Sequence, residues 1–272
     1  MALITAKLSI AEAFKPVNLH LYFPTDLPES VGNRVKGVIT LLHGLHGDCS
    51  DWFAMTAACR YAADNGYILI APSAENSFYN DMAHGSPWYA ILTESLPEQL
   101  RRIYNIPAAR EVNYIAGLSM GGYGALRIGL ARPKRYAAAG SFSGVVDMRA
   151  ALPAIASPKS LIRPVLEAVF GEQLVLPADA DVFTLAERAA RLEPDQRPRL
   201  WLSCGRQDTD VDFSLYGQNK KLASHLTGLG LDFEFKEWDG VHEWNFWDRS
   251  LAEFIGFIQG SDYAARKRRD WA

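Results

Sequence analysis

The chain has 272 residues, of which 49% are hydrophobic and 22% are charged. These proportions are typical of a globular protein, and at this length we expect a full hydrophobic core that needs no disulfide or metal. The formal net charge is −3, with 28 basic and 31 acidic residues, so the composition offers no broad basic surface for nucleic acid or for an anionic membrane.

Cysteine usage and the lack of long apolar runs bear on the compartment. The three cysteines show no zinc-ligand spacing and predict neither a disulfide framework nor a metal site. No run approaches the roughly 18 apolar residues of a membrane span, and residues 1–10 lack the basic start and apolar stretch of a signal peptide. We therefore expect a cytoplasmic protein with no membrane partner, in which the basic run at 266–269 is a solvated tail.

Strand and helix patterns alternate along the chain. Short apolar runs rich in β-branched or aromatic residues predict strands at 18–23, 35–42, 67–71, 112–116, 136–142, 200–204 and 233–238. Helical spacing of apolar residues predicts helices at 51–65, 89–103 (which Pro97 bends or interrupts), 120–130, 213–229 and 244–258. This alternation predicts an α/β fold, with a mostly parallel central sheet and helices on both faces.

Two segments depart from the alternation. The segment at 24–37 is rich in Pro and Gly, and we expect the two strands that it joins to form an antiparallel edge. The segment at about 147–199 is rich in Pro and Ala, which indicates an excursion of short helices and loops that lines a pocket or covers the sheet. We expect a single domain over residues 1–272.

A motif with a chemical meaning lies between the fourth predicted strand and the third predicted helix. Residues 117–121 read Gly-Leu-Ser-Met-Gly, which is G-x-S-x-G in the strand–turn–helix context that this motif requires. Gly117 and Gly121 are expected to approach each other so closely that neither can carry a Cβ. The motif predicts that Ser119 is a catalytic nucleophile on a sharp turn.

A serine hydroxyl needs a neighbouring base to take its proton. In proteins that carry this motif the partners follow in the order serine, acid, histidine. Of the six histidines only His225 and His242 follow Ser119. His225 lies within a helical pattern, whereas His242 lies in a loop between the last predicted strand and helix, so we favour His242 as the base.

Three aspartates compete for the acid, in the loop after the predicted strand at 200–204. Asp208 comes first beyond the strand and follows a glycine turn, so we favour it over Asp210. Asp212 fits better as the cap of the next helix. The acid would hold the histidine tautomer and stabilise its charged form.

Backbone N–H groups would stabilise the negative charge of the reaction. One donor is expected from Met120, directly after the nucleophile. The other is expected from the loop at 41–48, where we favour Leu45 over His46 and interpret His43 as a brace of the loop. Trp52, Trp88 and Tyr89 either wall a small acyl pocket or belong to the core, and their spacing does not decide between these two roles.

The blocks at 42–47, 117–126, 205–208 and 240–244, with Trp247, together resemble the esterase D-related esterases. The segments at 78–82, 88–89 and 94–97 are similar to its tributyrin (short-chain) esterases. The resemblance implies an α/β-hydrolase fold and a serine carboxylesterase that acts on short acyl esters through an acyl-enzyme. It also implies a triad of Ser119, Asp208 and His242, no cofactor, and a homo-oligomer that is either a dimer or a tetramer.

Related families leave alternatives open. S-formylglutathione hydrolases usually carry Ser and aromatic residues after the catalytic histidine, whereas Glu243 and Trp244 follow here. Feruloyl and acetyl-xylan-type esterases are further relatives. Gln207 stands where tributyrin esterases commonly carry Glu, and we expect little catalytic consequence. Two further hypotheses remain. The protein transfers an acyl group to an alcohol or sugar, or it is an inactive binding protein with the same fold.

Overall fold

The computed structural model describes residues 1–32, 34–155, 157, 159–209 and 214–260. The described residues form eight strands in one sheet: β1 (Ala2–Ile10), β2 (Lys15–Phe23), β3 (Gly37–Leu42), β4 (Tyr67–Pro72), β5 (Asn113–Leu118), β6 (Ala138–Phe142), β7 (Arg199–Gly205) and β8 (Phe233–Trp238). The strand order is β1-β2-β4-β3-β5-β6-β7-β8. Strands β3 to β8 run parallel, and β2 is antiparallel to both its neighbours.

The strand pairing that was predicted for the edge of the sheet is wrong. β2 does not pair with β3, because β4 lies between them and pairs with both. The outermost strand is β1, which the sequence analysis missed. Only Ala6, Leu8 and Ile10 are buried in it, so its apolar signal is the half-buried alternation of an edge strand and is weaker than that of a central strand.

Helices cover both faces of the sheet, as predicted. In chain order they are α1 (Asp51–Met55), α2 (Ala58–Asn65), α3 (Trp88–Ala90), α4 (Leu96–Tyr104), α5 (Met120–Ala131), α6 (Met148–Ile155), α7 (Arg163–Phe170), α8 (Val182–Ala190), α9 (Leu215–Gly228) and α10 (Trp244–Gln259). Buried side chains of α2 and α10 form one apolar core. Those of α4, α5, α7, α8 and α9 belong to a second core. None of these helices is long and apolar enough to cross a membrane.

Two predicted helices are divided. The helix predicted at 51–65 breaks at Thr56, whose backbone is extended; the Thr56 hydroxyl donates to the Trp52 carbonyl and accepts from the Ala58 N–H, so it closes one helix and opens the next. The helix predicted at 89–103 contains a π-helical turn, Ile91–Ser95, directly before Pro97 in the first turn of α4. Proline lacks the N–H that a helix interior needs, which accounts for this break.

Candidate active site

Ser119 occupies the tight turn between β5 and α5. Its φ of 54° and ψ of −118° are unusual for any residue other than glycine. Backbone hydrogen bonds on both sides hold this conformation. The Ser119 N–H donates to the Phe142 carbonyl at 2.9 Å, and the Ser119 carbonyl accepts from the N–H groups of Tyr123 at 3.2 Å and Val145 at 3.3 Å.

The glycines around Ser119 are required by close backbone contacts. A Cβ on Gly117 would lie 2.3 Å from the Gly121 carbonyl oxygen, and a Cβ on Gly121 would lie 2.3 Å from the Leu42 carbonyl oxygen. The expectation that these two glycines approach each other is confirmed. The end of β3, which carries Leu42, is thereby brought against the first turn of α5.

A line of hydrogen bonds joins Ser119, His242 and Asp208. His242 Nε2 lies 3.0 Å from Ser119 Oγ, and His242 Nδ1 lies 2.9 Å from Asp208 Oδ2. Because an ionised carboxylate only accepts, the proton of the neutral imidazole is on Nδ1 and Nε2 is free to accept from the serine hydroxyl. The Asp208 side chain is 1% exposed and that of His242 is 34% exposed, so the carboxylate is buried and the imidazole reaches solvent.

Three strands position these side chains. Ser119 follows β5, Asp208 follows β7 and His242 follows β8. The carboxyl ends of parallel strands meet at one edge of a sheet, where α/β proteins bind ligands. The side chain of Gln207 ties the last two loops together, because its Oε1 accepts from the Gly240 N–H at 2.7 Å and its Nε2 donates to Asp239.

Among the competing acids and base, His225 is the one that the structure describes. Asp210 and Asp212 fall outside the described residues. His225 lies in α9, where its ring packs against Phe183 at 5.1 Å. The cap predicted for Asp212 is made by Ser214, whose hydroxyl accepts from the Gly217 N–H at 2.9 Å.

The loop after β3 brings Leu45 to the same place. Gly44 and Leu45 line the cleft above Ser119. The N–H of His46, the alternative donor, is already bonded to Asn76 Oδ1 at 2.7 Å. Met120 is the first residue of α5, and the N–H groups of a first helical turn have no partner inside the helix.

His43 braces this loop, as predicted. Its Nδ1 lies 2.7 Å from the Gly44 carbonyl oxygen and its Nε2 lies 3.0 Å from the Ala74 nitrogen. Burial lowers the pKa of His43 below its ordinary value, with a smaller opposing effect from the bond to Gly44. The ring is therefore neutral at physiological pH.

The cleft above Ser119 has a volume of about 480 Å³. Its apolar wall is made by Leu45, Met55, Leu118, Trp244 and Trp247. Among the cleft-lining residues that the structure describes, Asp51 carries a carboxylate and there is no Lys or Arg. Burial raises the pKa of Asp51.

None of the three aromatic residues considered for the pocket or the core lines the described cleft: Trp52 and Trp88 are buried, and Tyr89 is partly buried against the core. Trp52 is fully buried and its Nε1–H donates to the Leu42 carbonyl at 3.0 Å, and Trp88 donates to Glu75 Oε2 at 3.0 Å. The Tyr89 ring lies under the Arg127 guanidinium at 3.9 Å. The aromatic residues of the cleft are Trp244 and Trp247, which the pocket prediction missed although they lie in the helix directly behind His242.

Comparison with known proteins identifies the family. The model of the Esterase family, described as "Putative esterase", matches residues 15–258. The chain belongs to this family. An acetyl esterase from Caldicellulosiruptor saccharolyticus is 29% identical to this esterase over 238 residues, which cover 84% of this chain and 87% of the relative.

Solved structures agree with this assignment. The fluorophosphonate-binding serine hydrolase F (FphF) of Staphylococcus aureus is similar with a TM-score of 0.80 and 25% identity, covering 94% of this chain and 98% of that chain. The S-formylglutathione hydrolase FrmB of the same organism is similar with a TM-score of 0.78 and 26% identity, at 94% and 98% coverage. The chain therefore has the α/β-hydrolase fold and is a serine ester hydrolase.

Proposed function

We propose that this esterase is a carboxylesterase that hydrolyses short-chain acyl esters, with Ser119 as nucleophile, His242 as general base and Asp208 as the acid that orients the imidazole. The observation that carries this proposal is the unbroken line of hydrogen bonds from Asp208 through His242 to Ser119 at the floor of the cleft.

The proposed reaction has two steps, acylation of Ser119 and hydrolysis of the acyl-enzyme. His242 Nε2 takes the hydroxyl proton as Ser119 Oγ forms a bond to the ester carbonyl carbon, and the alcohol leaves with that proton as an acyl-enzyme remains. In the second step water attacks the acyl-enzyme in the same way, and the carboxylic acid product is released. Asp208 stays ionised and stabilises the imidazolium in both steps.

The N–H groups of Leu45 and Met120 are proposed to bind the developing oxyanion. The bond from the His46 N–H to Asn76 favours Leu45 over His46, since an N–H that is already paired is a poorer donor to substrate. Loss of one such donor typically costs about 100- to 1,000-fold in turnover.

The lining of the cleft favours a small uncharged ester. Leu45, Met55, Trp244 and Trp247 offer apolar surface to a short acyl chain or alcohol. S-formylglutathione carries two carboxylates and one ammonium group, and the described residues of the cleft include Asp51 but no Lys or Arg to pair with the carboxylates. The name of the acetyl esterase relative points to short acyl groups, whereas FrmB keeps S-formylglutathione as the second candidate substrate.

The nucleophile is tested with Ser119→Ala on p-nitrophenyl acetate and with a fluorophosphonate probe. We expect turnover to fall by at least about 1,000-fold and the probe to label only the wild type. Ser224→Ala, at an exposed serine of α9, is the matched control and should behave as wild type. Near-normal turnover by a folded Ser119→Ala protein would remove the proposal.

The substrate class is tested with a panel of acetyl, butyryl and octanoyl esters, tributyrin, methyl ferulate, acetylated xylan and S-formylglutathione. We expect the highest kcat/KM on acetyl and butyryl esters. If kcat/KM were highest on S-formylglutathione, the protein would be a thioesterase and the carboxylesterase proposal would be wrong. Product analysis with an added alcohol separates hydrolysis from acyl transfer.

The setting of the enzyme is part of the same proposal. Cys49, Cys59 and Cys204 are all free thiols, which supports a reducing, cytoplasmic location. The homodimer or homotetramer implied by the family resemblance stays a prediction.

A further inference from the structure

The His43 side chain is buried beside the proposed oxyanion hole without lining the cleft. It is 1% exposed and directly follows β3, whereas its neighbours Gly44 and Leu45 line the cleft above Ser119. A buried imidazole in this position has to be hydrogen-bonded at both nitrogens or its burial is costly. The partners of the two nitrogens define what the ring does.

The two partners of His43 fix its tautomer. A backbone carbonyl can only accept, so the 2.7 Å contact between Nδ1 and the Gly44 oxygen places the proton on Nδ1. A backbone N–H can only donate, so the 3.0 Å contact with the Ala74 nitrogen requires a bare Nε2. The loop after β4 thereby anchors one end of the ring, and the other end holds the loop after β3.

The bond to Gly44 also sets the direction of a neighbouring donor. The Gly44 carbonyl and the Leu45 N–H belong to one planar trans peptide, in which the C=O and N–H bonds point in opposite directions. The Gly44 carbonyl points toward the buried His43 ring, so the Leu45 N–H points away from that ring. Both residues of this peptide line the cleft above Ser119.

Two further bonds restrict rotation of this segment. The Gly47 N–H donates to the same Gly44 carbonyl at 3.2 Å. The preceding peptide is held by the buried Tyr79, whose hydroxyl donates to the His43 carbonyl at 2.8 Å. Rotating the Gly44–Leu45 peptide would break the bonds to both His43 and Gly47.

We propose that His43 is a positioning residue of the oxyanion hole, whose Nδ1–H holds the Gly44 carbonyl so that the Leu45 N–H faces the carbonyl oxygen of the bound ester. This inference rests on the proposed function, because it takes Leu45 as an oxyanion donor. His43 touches no substrate and acts through the peptide that follows it.

Two substitutions separate the two bonds of the ring. In His43→Asn the side-chain NH₂ lies near the former Nδ1 and can still donate to Gly44. In His43→Gln the side-chain oxygen lies near the former Nε2 and can still accept from Ala74, but the donor to Gly44 is lost. Asn is one methylene shorter than Gln and loses more packing at this buried position, so a greater loss of kcat in His43→Gln cannot come from packing alone.

We expect His43→Gln to lower kcat on p-nitrophenyl acetate by roughly 10- to 100-fold, with KM within about 3-fold of the wild type. His43→Asn should restore most of kcat. A trifluoromethyl ketone, which forms a tetrahedral oxyanion on the serine, should bind more weakly to His43→Gln in proportion to its loss of kcat/KM. If His43 were needed for folding alone, the affinity for this inhibitor would not fall in proportion to kcat/KM.

Equal losses of kcat in the two folded variants would overturn the inference, as would a His43→Gln enzyme with wild-type kcat. Neither result bears on the proposed function, which is tested separately by Ser119→Ala and by the substrate panel. If neither variant folds, long-range ¹H–¹⁵N spectra of the wild type decide. The inference requires a His43 ring protonated at Nδ1 alone, and a ring protonated at Nε2 contradicts it.

Discussion

Ser119 holds a backbone conformation that costs free energy, of order 1–3 kcal/mol for a residue of this kind. The Ser119 N–H donates to Phe142 and the Ser119 carbonyl accepts from Tyr123 and Val145, and these three bonds hold the turn and offset this cost. The consequence is a partly buried hydroxyl that lines the cleft at the end of a buried strand, beside the first N–H groups of α5. Strain at this residue is thus the condition for presenting the proposed nucleophile.

The contact between Gly121 and β3 leads to a prediction. Gly121→Ala would place a Cβ 2.3 Å from the Leu42 carbonyl oxygen, and we expect a loss of at least about 2 kcal/mol in unfolding free energy, with loss of turnover. In Gly228→Ala the new Cβ meets nothing within 4 Å, so its stability should be equal or higher. Urea unfolding of both variants checks this, and a stable, active Gly121→Ala protein would contradict it.

The burial of His43 predicts how the stability of the protein changes at acid pH. Burial lowers its pKa below the ordinary 6.5, so below pH 6.5 the unfolded chain binds a proton that the folded protein does not. Stability contributed by the neutral ring is therefore present above pH 6.5 and is lost as the pH falls toward the lowered pKa. Urea unfolding from pH 7.5 to 5 should show a shallower pH slope for His43→Asn than for the wild type. His84→Asn, at an exposed histidine, is the control and should keep the wild-type slope.

At the scale of elements, the loops after β7 and β8 act as one unit. A Cβ on Gly205 would lie 2.1 Å from the Gly240 carbonyl oxygen, and Gln207 bonds to the Gly240 backbone. The N-terminus of α9 joins the same unit, because the Tyr216 N–H donates to the Asp208 carbonyl at 2.9 Å. The start of α9 therefore supports the loop that carries the proposed acid.

The Ser214 cap of α9 can be tested directly. Ser214→Ala removes the bond to the Gly217 N–H and should lower the free energy of unfolding by about 1 kcal/mol, while Ser214→Asp should retain most of it. Thermal or urea unfolding measures both. Ser224→Ala, within the same helix, should be neutral or stabilising, and an equal loss at the two serines would argue against a specific cap.

At the scale of the whole molecule, the sheet separates two apolar cores. Phe254 of α10 is fully buried with Phe142 and Trp201 on one face, and Leu166 of α7 is fully buried in the core of the other face. α7 belongs to the segment between β6 and β7, which was expected to form part of a single domain.

The single-domain expectation predicts one cooperative transition for both faces. Phe254→Ala should cost about 3–5 kcal/mol and Leu166→Ala about 2–5 kcal/mol, and each should move the same transition followed by circular dichroism, tryptophan fluorescence and activity. A separate early transition in Leu166→Ala alone would show that the segment carrying α7 unfolds independently.

The sequence by itself determined the class of fold, the turn at Ser119 and the loops that carry Asp208 and His242. These features are local: apolar runs, a glycine-flanked serine between a strand and a helix, and polar residues just beyond strand ends. The structure brings the three side chains within hydrogen-bonding distance, because parallel strands align their carboxyl ends.

Only the tertiary structure decided which elements lie side by side. It placed β4 between β2 and β3, added β1 to the edge, and buried Trp52 while Trp244 and Trp247 face the cleft. A local sequence pattern shows that a side chain is apolar. It does not show which side chain packs against it, because that partner lies far away in the chain. The bonds that tie His43 to Ala74 and Gly44 depend on such distant neighbours, which is why the sequence could suggest a brace but not its direction.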